Sequence, residues 1–340
     1  MNLQELYNYV SFLFMESSQF TNLGIKPYEK GLCDLGNHTY CYLQPDGGWG
    51  WSNAGLITDG KKSLIVDTLF DEKLTYEMLE TMQKAESKAL DNIVALVNSH
   101  SNGDHCNGNR CVNTQEIISS KASLLEMGSE SPEMMEELIR RAPEMGSLGK
   151  FFIKCFGKFH FSGIEQRFPN YTFSGREERM VGHKTIELIE VGPAHTNGDI
   201  LVYVPGDKVI FTGDILFIEG HPILWSGPVS NWIKACNEII NMEVDFVVPG
   251  HGPVTDKKGV RAVRDYLIYI HDEAKVRFQS GMSSLDTAKD INLEYFSSWG
   301  DKERIAVNIN SLYREFKGEE QREDITLLFQ QMAELAGYTD

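Results

Sequence analysis

The apolar run NIVALV (92–97) delivers the chain straight into NSHSNGDHCNG (98–108), where two His and one Asp fall within six residues. A short apolar run bounded by turn residues reads as a buried strand. The pattern recurs. His195 follows the alternating segment TIELIEV in the turn GPAHTNGD, Asp214 ends the apolar segment VIFTGD, and His251 ends VDFVVPGHG. Potential ligands at Gly-flanked strand exits point to a layered α/β fold, in which loops converge on the end of a rigid sheet.

The rest of the chain fits that class. HTYCYLQ, WGWSNAGLIT and SLIVDT read as strands separated by the turn signals PDGG and DGKK, an antiparallel meander. Residues 71–89 read as a helix with Leu74, Met78, Leu79 and Met82 on one face. DILVYV and VIFTGD form a second set of strands around a PGD turn. Residues 128–170 interrupt this rhythm with a helix-like insert rich in Met and Phe. It reads either as a cap over an apolar substrate pocket or as a helical hairpin with its own small core or a subunit contact. Three parts are expected: an N-terminal arm over 1–35, a body over 36–256 carrying the insert, and a helical C-terminal extension over 257–340. In the arm, Leu3, Leu6, Tyr7, Val10 and Phe14 recur at helical spacing, so it is expected to pack on the body or on a second copy of the chain in a homo-oligomer.

Charge narrows the partners. A net charge of -17 over 340 residues repels phosphate backbones and anionic membrane surfaces, so nucleic acid is not expected as a partner. No run of about 20 apolar residues suggests a membrane span. The first cation is Lys26, so no basic leader is read. The six Cys (Cys33, Cys41, Cys106, Cys111, Cys155, Cys236) form no CxxC pair and are too sparse for a disulfide framework. A cytoplasmic protein with reduced thiols is expected.

His100, Asp104 and His105 offer imidazole nitrogen and carboxylate oxygen, the donors a divalent cation such as zinc takes. Gly103 is expected to let the loop turn without a Cβ penalty. With His195, Asp214 and His251 added, the order HxNxDH, GPAHTNGD, FTGD, PGHG resembles the metallo-β-lactamase superfamily over roughly residues 36–256, less the insert. The family's usual first motif is HxHxDH, and six of its seven ligand positions match here. The resemblance implies a four-layered αββα sandwich with the site at one edge, here with a helical insert and a helical C-terminal extension. It implies that His100, His195 and the residue at 102 hold a first metal, that Asp104, His105 and His251 hold a second, and that Asp214 bridges them. Asp67 resembles the buried Asp that braces the ligand loop. The departure is Asn102, whose amide oxygen is a weaker, neutral donor for zinc and suits harder cations better. The second site is therefore expected to fill first, with zinc as the default metal, one or two ions, and iron or manganese as alternatives.

The expected chemistry is hydrolysis by a metal-bound hydroxide, with Asp104 and Asp214 holding the nucleophile and moving its proton. No GxSxG elbow and no phosphate loop competes with it. The substrate is expected to be a small, partly apolar ester, thioester, lactone or similar molecule. Alternatives are an iron-dependent, dioxygenase-like oxidoreductase on the same fold and a hydrolase of activated aryl ethers. His221 and Trp225, in the loop after Asp214, are candidates for touching substrate, and Trp49, Trp51 and Asn53 are placed near the rim. Asp199 reads as a supporting or capping residue, and Cys106 as a buried thiol.

Overall fold

A computed structural model describes residues 17–339 apart from 130, 320 and 322. The arm residues Leu3, Leu6, Tyr7, Val10 and Phe14 lie outside the described residues. Twelve strands form two mixed sheets among the described residues. The first contains β1 (Gly31–Asp34), β2 (Thr39–Leu43), β3 (Ala54–Asp59), β4 (Lys62–Val66), β5 (Ile93–Val97), β6 (Ile117–Ser120) and β7 (Tyr171–Phe173), in sequential order. The meander expected from the sequence is β1 to β4, and from β4 onward the pairing is parallel. The second sheet contains β8 (Arg176–Val181), β9 (Lys184–Glu190), β10 (Ile200–Val204), β11 (Val209–Phe211) and β12 (Phe246–Val248), in reverse order, with only β11 and β12 parallel.

Period-two alternation places the central strands between two cores, whereas β1 and β8, at the sheet edges, stay largely exposed or half-buried. Ile57, Leu64, Val66, Val202, Val204, Val209, Phe211 and Val248 meet between the sheets. Their neighbours Leu56, Ile65, Leu201, Ile210 and Val247 face outward, into a core shared with the helices. Burial on both faces explains why these strands are almost wholly apolar. Helix Glu72–Ala85, capped by Asp71, contributes Leu74, Met78 and Met82 to the outer core, as its spacing predicts. Helices Val229–Asn241 and Lys257–Gln279 supply Trp232, Cys236, Val260 and Val263. The four-layered αββα arrangement is the one expected.

Two helical segments complete the molecule. Helices Pro132–Arg141 and Gly146–Phe156 lie within the insert, and helices Ile305–Lys317 and Ile325–Leu335 lie in the C-terminal part. They meet each other: the Phe329 ring stands 6.1 Å from both Phe152 and Phe156. Helix Ile305–Lys317 is tied to the loop after Asp214, where Asn308 Oδ1 accepts the Leu224 amide at 2.8 Å and Ser311 Oγ donates to the Leu224 carbonyl at 2.6 Å. Among the described residues, no helix is long and apolar enough to cross a membrane.

Candidate metal centre and substrate cleft

Strand β5 ends at Val97, and the next eight residues form the floor of the site. Asp67, at the exit of β4, fixes that segment. Its Oδ1 accepts the Ser99 amide at 2.6 Å, and its Oδ2 accepts the Ser99 hydroxyl at 2.7 Å and lies 3.0 Å from His105 Nδ1. The main chain of His105 is held as well, since its carbonyl accepts from Thr68 N at 2.9 Å and from Asn98 Nδ2 at 3.0 Å. A single helical turn, Gly103–Cys106, turns Asp104 and His105 inward. Gly103 does not serve a turn that only glycine can make. Gly103 is helical, and its surroundings are tight: a Cβ would lie 2.8 Å from Asn107 Nδ2 and 3.1 Å from Phe70, so the Asn107 side chain would have to shift.

The remaining ligand-type residues arrive from the second sheet. His195 sits in the loop between β9 and β10, Asp214 follows β11, and His251 follows β12. Gly250 permits the last approach, because a Cβ on it would collide with Asp214 Oδ1 and the Gly213 main chain. Asn53, expected at the rim, is instead a buried brace whose Nδ2 donates to the carbonyls of Pro249 and Gly252 on either side of His251.

These side chains converge. Asp214 Oδ2 lies 3.3 Å from His195 Nε2, 3.5 Å from His251 Nε2 and 3.7 Å from His100 Nε2, while Oδ1 lies 3.1 Å from His105 Nε2. Asp104 Oδ2 lies 3.2 Å from His251 Nε2. The ligand atoms of Asp104, His105 and His251 all lie within 4.8 Å of one another, and so do those of His100, His105 and Asp214. Asn102 Oδ1 lies 2.8 Å from His195 Nε2, so the amide stands where the sequence pattern leaves room for a third imidazole.

The outward nitrogens of three rings are already engaged: His100 Nδ1 by Ser99 Oγ at 3.0 Å, His105 Nδ1 by Asp67, and His195 Nδ1 by the Ile223 carbonyl at 2.7 Å. This leaves each Nε2 facing the shared point, as outer partners of metal-binding imidazoles do. The His251 ring is held by stacking on Phe217, with centroids 5.0 Å apart and planes 4° apart.

The residues fit a divalent cation. His100 Nε2, His105 Nε2 and Asp214 Oδ1 are buried and have no hydrogen-bond partner, although each faces the others. Unpaired buried polar atoms are costly and call for a partner. Burial opposes charge on both carboxylates, but the surrounding imidazoles outweigh it. They hold Asp214 well below the usual carboxylate range and lower Asp104 as well. Burial also opposes the protonation of His251, yet Asp214 and Asp104 raise it to about 9, and the same carboxylates with Asp67 raise His105. Burial prevails at His100 and His195, which are lowered. Two ionised carboxylates that draw protons onto neighbouring imidazoles form an electrostatic well suited to a cation.

The cluster lies at the bottom of a cavity of about 170 Å³, a size that suits a benzene-sized group. Asn102, Asp104, His195, Asp214 and His251 line one end. The walls are apolar, from Met135 and Phe152 of the insert, Trp225 and Phe217 of the loop after Asp214, and Phe329 of the C-terminal part. The insert therefore faces the cleft, as the cap reading expects. Trp225 lines the cleft, whereas His221 lies outside its lining: His221 Nδ1 is 2.8 Å from the Gly300 carbonyl, and its ring packs on Tyr266 and Trp299. The expectation of substrate contact by His221 gives way to a role in joining two loops. Trp51 packs on Phe159, and Cys106 Sγ bonds the carbonyls of Ser101 and Asn102. Asp199 caps its own loop by accepting from Thr196 N at 2.9 Å and Thr196 Oγ1 at 2.7 Å. Sequence reasoning missed Arg304 and Phe329 entirely, because nothing local marks either residue.

Comparison with known proteins agrees with this geometry. The chain is 22% identical to the Beta-lactamase-like protein 2 homolog of Caenorhabditis elegans over 216 residues, covering 64% of this chain and 60% of that protein. It is 26% identical to the Probable hydroxyacylglutathione hydrolase glo2 of Schizosaccharomyces pombe, over 60% of this chain and 66% of that one. Among solved structures, the stereoselective inverting sec-alkylsulfatase Pisa1 from Pseudomonas sp. shares the fold, with a TM-score of 0.65 at 15% identity over 89% of this chain and 55% of that one. The chain thus spans less than two thirds of the length of each of these proteins. The family model described as Metallo-beta-lactamase superfamily matches residues 47–251, so this chain belongs to the metallo-beta-lactamase superfamily.

Proposed function

We propose that the protein is a metal-dependent hydrolase of small, partly apolar molecules carrying an ester, thioester, lactone or similar bond. The observation that carries this reading is the convergence of four imidazoles and two carboxylates at the floor of an apolar cleft. Relatives named as hydroxyacylglutathione hydrolases support it.

In this reading His100, His195 and Asn102 would hold one cation, Asp104, His105 and His251 would hold a second, and Asp214 would serve both. A divalent cation there supplies Lewis acidity and makes water nucleophilic near neutral pH. The protein's own groups do the rest. The apolar walls, including Trp225, bind the substrate body and exclude bulk water. Asp104 and Asp214, both in the cleft lining, orient the nucleophile and take its proton. Asp67 keeps His105 in the tautomer that presents Nε2. Because Asn102 offers only an amide oxygen, we assign the firmer site to Asp104, His105 and His251, with zinc as the first candidate. The six thiols are all free, which supports a cytoplasmic setting.

The test is elemental analysis of protein purified without added metal, followed by turnover of an aryl ester, a thioester, a lactone, a β-lactam and a secondary alkyl sulfate. One or two equivalents of zinc and metal-dependent turnover of a member of this panel are expected, with His251→Ala inactive. Full activity in a verified metal-free His251→Ala protein refutes the mechanism, and iron in place of zinc shifts the assignment to the oxidoreductase alternative.

A further inference from the structure

Among the described residues Arg304 is the one Arg or Lys lining the cleft, and the C-terminal part supplies it. It is 2% exposed. Its guanidinium lies 4.4 Å from the Trp49 ring centroid and 5.1 Å from that of Phe217, and Phe217 in turn stacks on the His251 ring. One terminal nitrogen donates to the His221 carbonyl at 3.0 Å, and the other pairs with Asp301 at 3.0 Å. The Nε–H has no partner. The His221 loop and Asp301 thus clamp the far edge of the guanidinium and leave one buried donor over.

A buried, cationic donor without an acceptor is uncommon in folded proteins. It sits between two aromatic walls of a cleft whose other polar groups are ligand-type residues or uncharged side chains. Such a group recognises an oxyanion, because guanidinium N–H groups match carboxylate, sulfonate and sulfate oxygens. We propose that Arg304 is the specificity residue of this cleft and that the substrate joins an apolar, ring-sized body to an oxyanionic group bound by the Arg304 Nε–H. This rests on the hydrolase reading and narrows it. The cluster around Asp214 acts on one part of the molecule while Arg304 orients it through another.

The test compares two probes of nearly equal shape, benzenesulfonate and methyl phenyl sulfone, both poor metal ligands, binding to the full chain as purified. Wild type is expected to prefer the sulfonate by about tenfold or more, the size of one charge-assisted hydrogen bond. In Arg304→Met the preference falls to near unity, while sulfone affinity stays within about threefold, showing that the cleft persists. Arg304→Lys keeps the charge without the planar fork and retains only part of the preference. Equal affinities in wild type overturn the proposal whatever the variants do. A preference that persists in Arg304→Met overturns it as well. If that persistent preference disappears on chelation, the anion sits on the metal, and the hydrolase reading survives without Arg304. A preference lost in Arg304→Met samples of wild-type metal content supports the proposal, and a metal-free wild type that keeps its preference separates the Arg304 site from the hydrolase reading.

Discussion

Replacing Asp67 with Asn tests how the centre is set. The buried carboxylate accepts three hydrogen bonds, from the Ser99 amide, the Ser99 hydroxyl and His105 Nδ1. Asn keeps the shape and tolerates the positive φ of 61° that the position requires. Its backbone is therefore not strained by the change. It offers only one acceptor oxygen, however. With that oxygen on the Ser99 amide, the side-chain NH2 faces Ser99 Oγ and His105 Nδ1. The hydroxyl can rotate to accept, but the imidazole N–H cannot. The ring can escape the clash only by moving its proton to Nε2, the atom that faces Asp214 and the cation site. A lost hydrogen bond to a charged group is worth about 1.5–3 kcal/mol, or roughly 10- to 150-fold. The expected result is a 10- to 100-fold loss of zinc affinity, in the range typical of outer partners of metal-binding imidazoles. A competition titration against a chromophoric chelator measures it, with circular dichroism confirming the fold. An Asp67→Asn protein that folds and binds zinc as tightly as wild type refutes the claim that Asp67 sets the His105 tautomer.

Two further outcomes are expected. Asn102→His places an imidazole where the amide oxygen lies 2.8 Å from His195 Nε2, so zinc content by elemental analysis rises towards two equivalents. An unchanged stoichiometry contradicts the assignment of Asn102 to the weaker site. Asp199 is raised from 3.8 to about 7 by burial, against the opposing hydrogen bonds from Thr196. Its folded form therefore favours the protonated state: the associated stability is fully present below about pH 4 and is lost as pH rises to about 7, up to about 4 kcal/mol in all. Urea unfolding of chelator-treated wild type and Asp199→Asn across this window should show the difference between them changing with pH, and parallel curves contradict the assignment.

The ligand cluster was legible because His and Asp at Gly-flanked strand exits are a dense, local signal. Asp67, His100, His105, His195, Asp214 and His251 are brought together as the pattern implies, and Trp225 reaches the cleft. The strands were legible because burial on both faces demands near-continuous apolar runs. The sequence could not show that Asn53 braces the His251 loop from 196 residues away, since an Asn at a turn looks the same whether it faces solvent or donates to two carbonyls. His221 shows the reverse error, in which proximity to Asp214 in the chain suggested proximity to the substrate.

From the chain alone came the layered α/β class, the set of ligand-type residues and the amide at position 102, because periodicity and residue chemistry are local properties. Only the tertiary structure decided which apolar segments wall the cleft and that Arg304 and Phe329, far along the chain from the motifs, close it. Helix packing places a side chain over a distant site through contacts that leave no signature in the residues nearby.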